Sequence, residues 1–98
     1  MTRKYTYTRP PGIQRRISSD AVGYLYDAVM YGKSVRHIAA EYGVKFQRVH
    51  QQISKFPDAL RRDAKLCADF VRWFNSLCVD VVPTADVEKW VADNAPQP

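Results

Sequence analysis

The chain has 98 residues and a formal net charge of +5, with 46% hydrophobic and 12% aromatic residues. That size fits one domain with at most a small appendage, and the composition excludes a globally disordered polymer. No apolar run reaches the length of a membrane span or of a secretory leader, so a cytoplasmic protein is expected.

Residues 1–17 form a basic arm in which Pro10, Pro11 and Gly12 block regular structure. Arg3, Lys4, Arg9, Arg15 and Arg16 suit a tether for phosphates or a minor groove; a frayed, solvated terminus is the equal alternative. The Tyr-Thr alternation over 5–8 also fits a short edge strand.

A first helix is expected over 20–31, capped by Ser18 or Ser19 and ended by Gly32, with Val22, Leu25, Val29 and Tyr26 facing inward. A second starts with Ser34 as its cap and ends at Tyr42. Gly43 then supplies a residue that tolerates positive φ, and a third helix covers 45–55. Ile38, Ala39, Tyr42, Val44, Val49 and Ile53 recur at helical intervals and make the buried side of this pair. Ala39 and Gly43 are expected to resist enlargement, because the helices approach closely there.

A long helix is expected from Pro57 across 57–76, with Leu60, Ala64, Cys67, Phe74 and Leu77 in period. Residues 78–82 turn to a strand-like pattern that stops at Pro83. Thr84 then caps a last helix over 84–94, and 95–98 is a loose tail. The organisation expected is therefore an arm over 1–17, a helix-turn-helix DNA-binding domain over 18–56, a dimerisation unit over 57–94 and the tail. The fold class is mainly all-α: three to four helices in a helix-turn-helix domain, plus a short strand and a C-terminal helix for dimerisation.

Charge divides along the same line. Residues 1–62 hold twelve Lys or Arg against four acids, a balance of +8, while 63–98 hold three against six, a balance of −3. A basic half carrying a helix-turn-helix pattern fits a DNA-facing surface; a basic face kept for solubility is the plain alternative.

Between the buried positions of the third helix stand side chains that bond phosphates and base edges in a major groove. Gln47, His50 and Gln51 are the candidates for base contacts, since glutamine can bond adenine N6 and N7 together. Lys45 and Arg48 reach guanine or phosphate, phosphate being the more frequent partner. Lys33, Ser34 and Arg36 open the second helix, where N–H groups and positive charge favour a phosphate, although Ser34 has a capping role regardless. Lys55, Arg61 and Arg62 suit the DNA backbone or a solvated face equally.

Trp73, Phe74, Val79, Val81, Val82 and Trp90 are the candidate dimer surface. A strand this short does not stand alone in water, and pairing with its copy across a two-fold axis would satisfy it. The alternative is that it folds back on its own chain, for instance on residues 5–8.

Cys67 and Cys78 make no C-x-x-C pair, and His37 and His50 are distant in sequence, so neither zinc nor another cofactor is expected. Cys67 reads as a small buried hydrophobe. No small-molecule ligand is evident.

Two segments resemble the TrfB (KorA) family of plasmid transcriptional repressors. One is the helix-turn-helix, with Ala39, Gly43, Val44, Val49, Gln51 and Ile53 in matching places. The other is Val79, Val81 and Pro83 followed by V-E-K-W-V-A-D over 87–93, which resembles the strand, proline and helix that close that family. A weaker likeness to PapB-type fimbrial regulators covers only the first helix to the start of the fourth. The family resemblance implies a homodimeric repressor with a C-terminal dimer contact.

The function expected is thus a sequence-specific repressor of transcription that binds double-stranded DNA as a homodimer on palindromic operators. A plasmid or phage DNA-binding protein with an architectural or segregation role uses the same residues. A protein-interaction module fits the clustered positive charge less well. An enzyme is the weakest reading, because no hydroxyl stands beside a base or carboxylate cluster in a recognisable arrangement.

Overall fold

The computed structural model describes residues 16–95. Its elements are β1 (Arg16–Ser18), α1 (Ser19–Met30), α2 (Val35–Tyr42), α3 (Phe46–Ser54), α4 (Asp58–Arg62), α5 (Ala64–Ser76), β2 (Val81–Pro83) and α6 (Thr84–Asn94). The fold is mostly helical, with one small two-stranded sheet. The 5–8 strand, and Arg3, Lys4, Arg9 and Arg15, lie outside the described residues.

Each early helix is set by its ends. The Ser18 hydroxyl accepts from the Ala21 N–H at 3.2 Å, which satisfies one of the free donors opening α1. At α2 the Ser34 hydroxyl accepts from the His37 N–H at 3.1 Å. Gly43 ends α2 in the left-handed region, at φ 69°, and its N–H donates to the Ala39 carbonyl. Lys45 precedes α3 and gives no side-chain cap.

The expected 57–76 helix is two. Asp63 stands between α4 and α5 in extended backbone, and its carboxylate accepts from the Leu66 N–H at 3.1 Å. Apolar period continues through the break, but a local cap outcompetes one more turn of helix there. Asp58 holds Arg61 and Arg62 on the face of α4, so these two cations are ion-paired. Thr84 is the first residue of α6 rather than its cap: Pro83 takes the cap position, and the Thr84 hydroxyl is buried with no hydrogen-bond partner.

β2 pairs antiparallel with β1, Ile17 opposite Val82 and Ser18 opposite Val81. The strand therefore folds on its own chain, and Arg16 and Ile17 of its partner lie within the segment read from sequence as arm. Ile17 is fully buried, so the arm's last two residues belong to the folded body. One hydrogen bond from the Ser19 N–H to the Asp80 carbonyl, at 2.8 Å, extends the junction into α1.

Two cores share α1. The larger gathers Ile17, Val22 and Leu25 with Phe56, Leu60, Leu66, Cys67, Phe70, Phe74, Val79, Val82, Val87 and Val91. The smaller joins Tyr24 to Ile38, Ala39 and Val49, with Val44 and Ile53 packed beside it. Hence α1 is buried on two sides, and Tyr24, not Tyr26, is the tyrosine it encloses. Tyr42 is a correction of the opposite kind: it is 43% exposed and touches Tyr24 only edge-on, with ring centroids 4.8 Å apart.

Candidate nucleic-acid interface

Val49 is fully buried under α1 and α2, and that single anchor orients α3. At about 100° per residue, the side opposite Val49 belongs to Gln47 and Gln51, with His50 and Arg48 on the flanks. All four are exposed, as is Lys45 just before the helix. The structure thus brings Lys45, Gln47, Arg48, His50 and Gln51 onto one outward surface. Burying a valine side chain contributes about 1.5–3 kcal/mol, enough to fix which face looks out.

The cations around α2 are arranged less evenly. Lys33 Nζ donates to the Glu41 carboxylate at 2.8 Å, and His37 Nε2 lies 3.6 Å from its other oxygen. The hydrogen bond raises the Lys33 pKa above its ordinary value and lowers that of Glu41 below its own. Lys33 is therefore held by an acid, whereas sequence reading set it free for phosphate. Between residues 32 and 56 Glu41 is the lone acid against Lys33, Arg36, Lys45, Arg48 and Lys55.

Arg36 crosses from α2 to α3. Its guanidinium carbon sits 4.1 Å from the centre of the Phe46 ring, while Phe46 itself is 38% exposed. This pair unites the openings of both helices, and nothing in the spacing of the sequence marks it. Ser34 is engaged as the cap of α2. Lys55 donates to the Arg16 carbonyl at 3.3 Å, so it fastens the end of α3 to β1 and sets the exposed Arg16 beside it.

The second candidate surface is smaller than the sequence implied. Phe74, Val79 and Val82 are buried in the chain's own core and present no side chain to a partner. Trp73, Trp90 and Val81 are half-buried. The two indoles stack on each other, with centroids 5.8 Å apart, over Phe70. They line a shallow groove of about 310 Å³ with Asp86, Lys89 and Asp93. Burial pushes the Asp86 carboxyl up, against the opposing pull of Lys89.

Cys67 is buried and Cys78 exposed, both as free thiols. Among the described residues no three His, Cys, Asp or Glu side chains gather closely enough to hold a metal ion, and no helix is long and apolar enough to cross a membrane.

No family model, curated protein or solved structure matches this chain.

Proposed function

We propose that the chain is a sequence-specific repressor of transcription, binding double-stranded DNA with α3 in the major groove. One observation carries the reading. Val49 is sunk in the small core while Gln47 and Gln51 stand on the opposite side of a short helix, flanked by Arg48, His50 and Lys45 with no acid on that helix. Polar side chains that carry both donors and acceptors, ringed by cations, match base edges between two phosphate rows.

Gln47, His50 and Gln51 take the bases in this reading. Lys45, Arg48 and the open N–H groups at the start of α3 take phosphates, with Ser34 and Arg36 beside them. Lys55 and Arg16 face the backbone at the far end of the helix. Two copies act together on a palindromic operator, their α3 helices about 34 Å apart. The partly exposed Trp73, Trp90 and Val81, and the resemblance to TrfB (KorA) plasmid repressors, support a C-terminal contact between copies in a bacterial cytoplasm.

Selection of bound duplexes from a random pool tests this directly. The expected product is an inverted repeat, with Gln47→Ala and Gln51→Ala each relaxing one position by about 1–3 kcal/mol. Lys45→Ala weakens binding to all sequences alike and lowers the salt slope by about one. Steep salt dependence with no preferred sequence defeats the repressor reading in favour of an architectural role.

A further inference from the structure

We infer that Arg36 and Phe46 form a composite reader of a thymine beside a guanine, an inference that rests on the DNA-binding reading above. Phe46 is the first residue of α3, and the N-terminal end of such a helix is the end that approaches base edges. Phe46 belongs to neither core and is 38% exposed beside Arg36, so part of its ring is open to a partner. The chemistry it offers DNA is apolar contact, and the one apolar group on a major-groove base edge is the thymine C5-methyl.

The Arg36 guanidinium carbon lies over that ring, 4.1 Å from its centre. A guanidinium over the centre of an aromatic face meets no acceptor there, so its planar fork of N–H donors is left to point past the ring. None of the ion pairs among the described residues uses Arg36, so those donors are not spent on a carboxylate. An in-plane pair of N–H groups fits guanine O6 and N7, the commonest specific contact of arginine. Because ring and guanidinium are in contact, the two bases they read must be neighbours. This cation–π contact also restricts a side chain that otherwise samples many rotamers, which removes part of the ordering penalty of binding.

Alanine at position 36 removes charge and fork together. A simple phosphate clamp would then lose only salt slope, whereas a base reader would also lose its response to guanine N7.

The test starts from the site that the full chain selects out of a random pool. Each thymine of that site is changed to uracil, which deletes only the methyl, and each guanine to 7-deazaguanine, which deletes only N7. One thymine and one adjacent guanine are expected to respond, the guanine by roughly tenfold in affinity. Phe46→Ala should abolish the thymine–uracil difference, and Arg36→Ala the 7-deazaguanine difference, each with unchanged circular dichroism. Insensitivity of the wild-type protein to both base changes overturns the inference while leaving sequence-specific binding intact. So does an Arg36→Ala protein that keeps the base responses and alters only the salt slope. If no preferred site emerges at all, the DNA-reading function fails first and this inference falls with it.

Discussion

A β-carbon on Gly23 would stand 2.9 Å from the Tyr42 hydroxyl oxygen, so α1 meets the end of α2 at the point where α1 carries no side chain. The contact is with the tip of a partly exposed ring, which can swing aside. Alanine favours a helix interior over glycine by about 1 kcal/mol, and moving Tyr42 off Tyr24 forfeits an edge contact worth about 0.5–1.5 kcal/mol. The two nearly cancel. Gly23→Ala is therefore expected to lie within about 0.5 kcal/mol of the parent in urea unfolding. A loss above about 2 kcal/mol would show that Tyr42 is fixed.

Gly43 obeys a different constraint. Added atoms there meet nothing within 4 Å, so close helix approach, the reason expected from sequence, is not what requires glycine. Its φ of 69° is. Gly43→Asn should be mild, since asparagine tolerates this region, while Gly43→Val should lose about 2 kcal/mol or more. Binding should fall only as far as the folded fraction falls, which denaturation and gel-shift measurements on the same samples compare. Ala39 is the truly crowded position, 5% exposed in the small core, and Ala39→Leu should lose about 1–3 kcal/mol by overpacking.

The Thr84 hydroxyl is buried without a partner, a desolvated polar group that contributes nothing in return. Valine has nearly the same shape. Thr84→Val is expected to stabilise the protein by about 1 kcal/mol, read as a higher melting temperature. A destabilised variant would mean that the hydroxyl has a hydrogen bond in solution.

Burial pushes the Cys67 thiol up to about 11, while Cys78 is exposed in a turn at φ 56°. One thiol should react quickly with a disulfide reagent in the native protein, and the second only as the chain unfolds. Two fast thiols would place Cys67 at the surface. Replacing Cys78 with glycine should remove the fast phase and relieve left-handed strain of about 1 kcal/mol.

Much of this fold is legible because local signals agree. Ser34, Gly43 and the Val49–Ile53 spacing bound α2 and α3 closely, and Pro83 followed by an apolar period marks β2 and α6. The misreadings arise where tertiary structure decides. Periodicity gives a helix one inward face, but α1 serves two cores, so the spacing points to Tyr26 and passes over Tyr24. The break at Asp63 leaves the apolar period intact and depends on one cap hydrogen bond. β1 is three residues long, too short for any alternation to announce it. In the candidate interface the residue types were readable, but their pairing was not: Lys33 with Glu41 and Arg36 with Phe46 depend on how two helices cross.

The Lys33–Glu41 pair joins stability to the proposed function. Glu41 titrates below its ordinary 4.5, so its contribution is present above that pH and lost as pH falls through the lowered value. Lys33 titrates above its ordinary 10.5, so its contribution is complete below that pH and lost as pH rises through the raised value. The melting difference between the parent and Glu41→Gln should hold level between these limits and close outside them. It should stay small, because both groups are exposed, and shrink further with salt. Binding should move the other way. Removing the one acid between residues 32 and 56 frees Lys33 for phosphate, so Glu41→Gln should bind DNA more tightly at low salt, with a salt slope steeper by about one. A variant that loses stability but gains neither affinity nor slope would show that this end of α2 faces away from the DNA.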